Sequence, residues 1–137
     1  MSISVSTAVK NAIGDSLVDI IDSGSTYSTG YIEVRSGVKP LTPSDDPTGA
    51  LLALLLLSTP PFSDFSNGRS LSFNILDDTN VDATGTAGWF RVYNKDGVGV
   101  MDGTVTQIGG GGDITFENIN FIEGGVVSIR SIAISVF

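Results

Sequence analysis

Residues 84–105, TGTAGWFRVYNKDGVGVMDGTV, decide the fold of this chain. The first half of this stretch alternates its side chains between two sides, with Trp89, Arg91 and Tyr93 opposite Phe90 and Val92. A period of two residues is typical of a β-strand. Residues 94–97 follow, and their Asp-Gly step is the strongest signal for a tight hairpin turn in the sequence. The stretch therefore predicts a β-hairpin that carries the only tryptophan of the protein.

The composition predicts one folded domain over residues 1–137. A chain of this length buries roughly two-thirds of the surface of its unfolded form, which is enough for a core without disulfide bonds. Hydrophobic residues make up 41% of the sequence and charged residues only 16%, far from the composition of disordered proteins. Because this composition is so apolar, we expect part of the surface to be an interface with another molecule.

The chain contains neither cysteine nor histidine. Thiolate chemistry and disulfide bonds are therefore excluded, and the usual general base at neutral pH is missing together with the commonest metal ligand. A serine nucleophile would have no imidazole to activate it, which excludes the Ser-His-Asp type of hydrolysis. We expect a protein without enzymatic activity and without a cofactor.

The net charge of −8 argues against a nucleic-acid partner, because phosphates require clustered Lys and Arg and the seven basic residues here are scattered. A basic partner is expected instead. The N-terminus lacks the features of a signal peptide, and the longest apolar run, residues 50–57, is far shorter than the roughly 20 residues of a membrane-spanning helix. We expect a soluble protein that is not exported by the Sec route and does not bind a membrane.

One amphipathic helix is predicted over residues 6–23. Its apolar positions recur every three or four residues and form a stripe that should pack on the rest of the protein, namely Val9, Ile13, Leu17, Ile20 and Ile21. Ser6 or Thr7 can cap the first turn, and Gly24 can take the left-handed conformation after the last turn. Residues 23–30 read as a flexible polar linker.

The leucine-rich run of residues 50–57 predicts a strand that is buried on both faces. One face would meet the core, and the other would meet the N-terminal helix or another subunit. Residues 31–36 alternate in the manner of a half-exposed strand, and residues 70–76 read as a half-buried strand with Leu71, Phe73 and Ile75 inward.

The remaining strands are predicted over residues 113–122 and 126–137. The apolar parity changes in the last strand, which predicts a β-bulge near Arg130 and Ser131. Residues 38–49 and 59–69 read as loops. The pattern predicts a mainly β fold: a β-sandwich of jelly-roll or immunoglobulin type, or a partly closed barrel, of about seven to eight strands. Residues 1–24 would form an arm and helix, and residues 31–137 the sandwich.

Three polar segments are candidate sites. The pattern Asp78-x-Asn80-x-Asp82 imitates the start of a calcium loop, but Ala83 replaces the turn glycine and Trp89 the closing glutamate, which favours an acidic solvated turn. Residues 109–112 are four glycines, but the following Asp113 opens a strand, which favours a flexible connection over a phosphate site. A glycosidase pair could come from the glutamates, Glu33, Glu117 and Glu123.

Aromatic residues offer a further candidate site. Trp89, Tyr93 and Tyr31 could form a platform for sugar rings, although a tryptophan in a central strand is more often part of the core. Phe62 and Phe65 lie in the predicted loop 59–69, where they would either close one end of the sandwich or face a partner.

The chain resembles a family of small tailed-phage and prophage proteins that are described as virion-associated. The segments that carry the resemblance are, in order, Ser6-Thr7-Ala8, Asn11-Ala12, Leu17-Val18-Asp19, Ile21-Asp22, Gly49-Ala50-Leu51-Leu52-Ala53, Pro61-Phe62, Asp82-Ala83-Thr84-Gly85-Thr86-Ala87, Trp89-Phe90-Arg91, Asp96-Gly97 and Met101-Asp102-Gly103-Thr104-Val105. They span nearly the whole chain. The glycine run at 109–112 and the leucine-rich strand depart from the family pattern, and no catalytic residue comes with the resemblance.

The resemblance implies a structural protein of the virion, made in the host cytoplasm and placed on the capsid surface. Its expected partners are the major capsid protein and copies of itself, as a decoration (cement) protein that forms a homo-oligomer, with a trimer favoured. The expected capsid contact is a β-pairing arm formed by Met1, Ser2, Ile3, Ser4, Val5, Ser6 and Thr7. The expected subunit contact is formed by Leu52, Leu54, Leu56, Phe62 and Phe65. A tail or baseplate protein and a carbohydrate-binding module are the alternatives.

Overall fold

A computed structural model describes residues 3–72, 74–129 and 132–135. Its elements in chain order are α1 (Thr7–Ile21), β1 (Tyr31–Ser36), β2 (Leu51–Leu56), β3 (Arg69–Leu71), β4 (Gly85–Tyr93), β5 (Gly99–Gln107), β6 (Ile114–Phe116), β7 (Asn120–Phe121) and β8 (Ala133–Ser135). The main sheet has the order β2-β1-β4-β5-β6, β7 pairs with β4, and β3 pairs with β8. The main sheet curls into a half-barrel, which confirms the predicted mainly β class with one helix.

The predicted hairpin is the centre of the main sheet. β4 and β5 pair antiparallel, with Trp89 opposite Thr104 and Arg91 opposite Asp102. Their connection is closed by the Asn94 side chain, whose Oδ1 accepts hydrogen bonds from the backbone N–H groups two and four residues later, and by Gly97 at a φ of +76°. The asparagine and glycine supply the turn geometry that the sequence predicted.

The core lies on one face of this sheet, which we call the inner face. β1 contributes Ile32 and Val34 to this core and pairs with β2 along one edge and with β4 along the other. α1 and the irregular segments complete the core. Its buried members include Val18, Ile21, Ile32, Val34, Leu52, Leu55, Leu57, Phe62, Phe65, Phe90, Val92, Val105, Ile114, Phe121, Val127 and Ile129.

β2 is a strand, as predicted, but only its inner side is buried. Leu55 is fully buried opposite Ile32, whereas Leu54 is half-buried and Leu56 is exposed on the other side. The free edge of β2 is covered by the segment 76–82. The N–H groups of Leu76 and Asp82 donate to β2 carbonyls, and the Asp78 carboxylate accepts from the Leu54 N–H. This cover satisfies an edge that would otherwise be open to pairing.

α1 begins after its N-cap, Ser6, whose Oγ accepts a hydrogen bond from the N–H of Val9 at 3.2 Å. Gly24 has a φ of +115°, in the left-handed region predicted for it. The predicted inward stripe is confirmed only in part. Ile21 is buried and Leu17 packs partly buried against the core, whereas Val9, Ile13 and Ile20 are exposed and Gly14 and Val18 are buried in their place.

Side-chain anchors explain this rotation of the helix. The Asp15 carboxylate accepts the N–H of Phe65 at 2.8 Å, and the side-chain Oδ1 of Asn11 accepts the N–H of Gly68 at 2.8 Å. A Cβ at Gly14 would overlap the Phe65 ring, so the glycine allows this close approach. Polar groups thus face inward because they satisfy backbone donors of the 65–68 loop.

The strand predicted over 70–76 is shorter, and at Ser70 and Leu71 the buried and exposed positions are exchanged. β3 ends at Leu71, which is exposed, while Ser70 is buried and donates from Oγ to the Ser63 carbonyl at 2.6 Å. Residues 74–76 lie outside any strand, and Ile75 is buried as predicted. Phe73 lies outside the described residues.

The predicted strands at 113–122 and 126–137 are broken into short pieces. β6 pairs parallel with β5 after a connection of only six residues, 108–113, where parallel pairs usually need about a dozen. Cβ atoms at Gly110 and Gly112 would lie 2.8 Å from the Thr106 side chain. The glycine run is therefore a tight reversal folded against Thr106. The predicted bulge at Arg130 and Ser131 lies outside the described residues.

Candidate functional site

The outer face of the main sheet, opposite the core, is covered over β4 and β5 by the loop of residues 38–49. Trp89 is fully buried there and donates from Nε1 to the Ser36 carbonyl at 3.2 Å. The Arg91 guanidinium lies 5.2 Å from the centre of the Trp89 ring, within cation–π range. Trp89 and the buried Tyr93 therefore do not form the exposed sugar platform that the sequence suggested.

Arg91 fastens this loop to the sheet. Its Nε and Nη2 donate to the two oxygens of Asp102 at 2.6 and 3.0 Å, and both side chains are only 3% exposed. Its remaining donors reach the loop, with Nη1 on the Asp45 carbonyl at 2.7 Å and Nη2 on the Thr42 carbonyl at 3.2 Å. The hydrogen-bonded Asp102 carboxylate raises the pKa of Arg91 above its ordinary value. The guanidinium is a fixed cation that joins sheet and loop.

The loop is also closed on itself. The Thr42 N–H donates to the Asp45 carboxylate at 3.0 Å, and the Thr48 hydroxyl donates to the Val38 carbonyl at 2.6 Å. This loop presents two large apolar side chains to solvent: Leu41 is 94% exposed and Val38 is 82% exposed. The predicted surface loop is confirmed, but it is held by hydrogen bonds at several points along its length.

The other half of the outer face is bordered by residues 23–30, the predicted flexible linker. Asp96 Oδ1, in the hairpin turn, accepts the N–H groups of Ser25 and Thr26 at 2.9 and 3.1 Å and the Thr26 hydroxyl at 2.9 Å. The Tyr27 N–H donates to the Lys95 carbonyl at 2.8 Å. These bonds, led by that from Ser25, lower the pKa of Asp96. The linker is therefore attached to the hairpin turn, and the prediction of flexibility is wrong.

This attachment places three tyrosines in a row. Tyr31 and Tyr93, which are opposite each other in β1 and β4, stack with ring centres 4.8 Å apart. Tyr27 meets Tyr31 edge-on at 5.9 Å. Burial raises the pKa of Tyr93 to about 12, and the nearby Glu33 adds to this increase. Burial, followed by Glu33, also raises the pKa of Tyr31.

A pocket of about 380 Å³ opens beside these rings, and we call it the tyrosine pocket. Its lining residues are Tyr27, Ser28, Thr29, Tyr31, Glu33, Leu54 and Leu56. The Glu33 carboxylate is mostly buried and is contacted through Oε1 by Arg35 at 3.3 Å. The pocket thus combines aromatic and aliphatic walls with one carboxylate, and its volume is at the small end of the usual range for binding sites, about 300–1,000 Å³.

The outward side of α1 is a second apolar surface. Val9, Ile13 and Ile20 are each between 43% and 52% exposed and lie in a line along the helix. Leu17 lies between them and is half-buried against the core. The helix therefore carries apolar residues on two sides, of which only one is used by the fold.

The residues predicted to contact the capsid lie at the start of the described chain. Ile3, Ser4 and Val5 have no regular secondary structure, and Ile3 is 80% exposed. Ser6 caps α1 and Thr7 is its first residue. Met1 and Ser2 lie outside the described residues.

The five residues predicted to contact another subunit divide into two groups. Leu52, Phe62 and Phe65 are buried in the core, where they fill space beneath α1 and the sheet and present no surface to a partner. Leu54 and Leu56 point to the outer face and line the tyrosine pocket. The role of Tyr27 was missed, because its position depends on an Asp96 that is about 70 residues away in sequence.

Comparisons with protein families, curated proteins and solved structures found no match to this chain. The described part of the chain contains no helix that is long and apolar enough to cross a membrane. Among these residues, no group of three or more metal-ligating side chains comes together.

The acidic segment 77–82 has a structural role. Asp78 accepts the Leu54 N–H through Oδ2 and the Asn80 N–H through Oδ1, while Asp77 accepts the Ser128 hydroxyl at 2.6 Å. These carboxylates are occupied by donors of the protein. They join the edge of β2 to the segment around Ser128.

The three glutamates lie in separate places. Glu33 is on β1, Glu117 follows β6, and Glu123 is in the turn after β7. The tyrosine pocket contains only Glu33, so it does not hold the carboxylate pair of a glycosidase. Two further pockets, of about 410 and 560 Å³, flank Phe116 and Glu117 and extend to Ser128 and Ile129.

Proposed function

We propose that this protein is a non-enzymatic structural component of a phage virion, a decoration protein that binds the major capsid protein and further copies of itself. The observation that carries the proposal is the display of apolar side chains on well-anchored elements. Leu41 projects from a hydrogen-bonded loop, Leu56 from a strand, and Ile13 from an anchored helix.

Such a display fits binding because an anchored surface loses little conformational freedom when a partner covers it. Single exposed apolar residues are ordinary, but a line of them on α1 and a cluster at the tyrosine pocket form contiguous surfaces of the kind that mark interfaces. The resemblance to virion-associated phage proteins supplies the partner, a capsid shell. The composition supports the same conclusion, because a chain without imidazole and thiol has few groups for catalysis.

The capsid contact is proposed to be the N-terminal arm. Ile3 and Val5 alternate with serines, so the arm can add to the edge of a sheet in a partner and place both apolar side chains on one side. A basic surface on the capsid protein would complement the net charge of −8.

The test is a measurement of copy number in particles of the phage or prophage that carries this sequence. Quantitative mass spectrometry and cryo-electron microscopy of purified particles should find many copies on the capsid shell. Copies confined to the tail or baseplate would refute the assignment to the capsid and support the tail alternative. The variant Ile3→Ser/Val5→Ser keeps the Ser6 cap and should lose capsid occupancy, whereas Ser4→Ala should not. Full occupancy with the double variant would refute the arm.

A second candidate is a carbohydrate-binding module at the tyrosine pocket. The observation that favours it is the exposed ring of Tyr27 beside Glu33, since sugars bind through aromatic faces and carboxylate acceptors. Titration with neutral oligosaccharides should then change the tyrosine signals of the wild type and not of Tyr27→Ala. Unchanged spectra at millimolar sugar would refute this candidate.

A further inference from the structure

Asn67 is the one asparagine of the chain that precedes a glycine, and it lies at the tip of the 65–68 loop. Asn67 is exposed, whereas Gly68 is buried. Both residues have positive φ angles, +54° and +74°. The flanking Ser66 and Arg69 exchange two backbone hydrogen bonds at 2.9 and 3.0 Å. This geometry is that of the tight hairpin turn which an Asn-Gly pair favours.

An Asn-Gly step can lose ammonia without an enzyme. The backbone nitrogen of the glycine gives its proton to hydroxide and attacks the side-chain amide carbon of the asparagine. The new C–N bond closes a succinimide ring, and the amide nitrogen takes a proton from water and leaves as ammonia. Water then opens either carbonyl of the ring, so the product is aspartate or isoaspartate. Glycine favours this reaction because it has no Cβ to hinder the approach of its nitrogen.

The attacking nitrogen is held by α1 in the folded chain. The Gly68 N–H donates to Oδ1 of Asn11 at 2.8 Å. A buried nitrogen whose proton is hydrogen-bonded is hard to deprotonate, because both burial and the bond favour the neutral form. Asp15, one turn further along α1, accepts the Phe65 N–H, so the helix holds the loop at both of its ends. The reaction is therefore blocked while α1 lies on the loop.

The two Asp-Gly steps of the chain are protected in a different way. Three hydrogen bonds from Ser25 and Thr26 hold the carboxylate of Asp96. The carboxylate of Asp102 is buried against Arg91. An ionised carboxylate that is held by donors is a poor target for the following backbone nitrogen. Asn67 carries a neutral amide instead, so its protection depends on the attacking nitrogen and therefore on α1.

We infer that Asn67 is a site of spontaneous deamidation, and that docking of α1 controls its rate through the bond between Asn11 and Gly68. The inference is independent of the proposed role in a virion. Isoaspartate adds a methylene group to the backbone of the turn, so the pairing of Ser66 with Arg69 is lost in its present register. The loop beneath the helix is then altered, and a transient opening of α1 becomes permanent.

The test is peptide mapping by mass spectrometry of the full chain after incubation at mildly alkaline pH. It measures the mass gain at residue 67 from replacing NH₂ by OH, and electron-transfer fragmentation identifies isoaspartate. Asn11→Ala removes the acceptor and should accelerate the reaction roughly three- to tenfold, the factor that corresponds to one hydrogen bond. Asn11→Asp keeps an oxygen acceptor, and Ser16→Ala changes an exposed position of the same helix, so both should react at the wild-type rate. Asn67→Gly retains the turn and should give no product.

Amide hydrogen exchange is a second measurement, which does not depend on the stability of Asn11→Ala. Exchange of the Gly68 N–H requires the same hydrogen bond to open. In the wild type at low urea concentrations that leave the chain folded, deamidation and this exchange should increase by the same factor. A deamidation rate that stays constant while the exchange rate increases would contradict the coupling.

Three further results would overturn the inference. Equal rates in the wild type and in a folded Asn11→Ala would show that the contact with α1 does not control the reaction. Deamidation of the folded wild type as fast as that of the chain in concentrated urea would show that the fold gives no protection. An unmodified residue 67 in concentrated urea would exclude the site itself.

Discussion

Removal of the Asp102 carboxylate should strongly destabilise the protein. Its two hydrogen bonds to Arg91, at 2.6 and 3.0 Å, lie where both side chains are 3% exposed. Asp102→Ala would leave the guanidinium buried without a counter-charge, and breaking a buried pair in this way costs about 3–5 kcal/mol. For a domain of this size each kcal/mol corresponds to roughly 4 °C, so the melting temperature should fall by roughly 12–20 °C.

Urea unfolding followed by Trp89 fluorescence is the appropriate assay, because Trp89 lies beneath the loop that Arg91 holds. Asp46→Ala is the matched control, since Asp46 is an exposed carboxylate of the same loop and its removal should change stability by less than about 0.5 kcal/mol. The double variant Arg91→Met/Asp102→Leu removes both charges and should recover much of the loss. If Asp102→Ala stays within about 1 kcal/mol of the wild type, the reasoning from burial of the ion pair is wrong.

Three further predictions concern the anchors of the site. The pKa of Asp96 is lowered in the folded state, so its ionised carboxylate stabilises the fold above the ordinary carboxyl range. This contribution is lost as the pH falls through the lower folded value. In Asp96→Asn the urea midpoint should therefore change less with pH between pH 5 and 2. Gly14→Ala should destabilise the protein by about 1–3 kcal/mol, although alanine has the higher helix propensity, because the new methyl group meets the Phe65 ring. The control Ser16→Ala, on the exposed side of the helix, should not destabilise it. Equal thermal stability of both variants would contradict the packing. The raised pKa of Tyr93, about 12, means that stability falls as the pH rises from about 10 to 12, and this decrease should be smaller in Tyr93→Phe by chemical unfolding at alkaline pH.

The parts of the fold that could be predicted depend on local pattern. The hairpin follows from alternation and an Asp-Gly turn within 22 residues, and β1 follows from alternation alone. The beginning of α1 follows from the Ser6 cap. Each of these signals acts over a few residues, so the sequence contains the whole of it.

The parts that were wrong depend on distant partners. The face that α1 buries is set by Asp15 and Asn11, which bind backbone donors 50 and 57 residues away. The linker at 23–30 is held by Asp96, and the glycine run folds against Thr106 to allow a parallel pair. No periodicity in the sequence encodes such contacts.

The candidate site shows the same division. Leu54 and Leu56 were predicted at a surface from the excess of leucine in their strand, and they do line the outer face. Leu52 shares their parity in the sequence, but the register of β2 against β1 shifts beside it, between Val34 and Arg35, and its side chain belongs to the core. The sequence signal that could have identified Tyr27 is a lone aromatic residue in a polar segment, but it gives no indication of the hairpin turn that positions it.

The orientation of α1 explains why an apolar stripe is left for a partner. Full burial of an exposed side chain of this size gains roughly 1.5–3 kcal/mol, and a rotation that buried Val9, Ile13 and Ile20 would gain about half of that for each, because each is already about half covered. The same rotation would deprive the N–H groups of Phe65 and Gly68 of their acceptors, at about 1–3 kcal/mol each if they remain buried. It would also remove Val18 and Ile21 from the core and turn bulkier residues than Gly14 toward the Phe65 ring. The losses match or exceed the gain within one chain, so the stripe remains outside, where a second protein can cover it without disturbing these anchors.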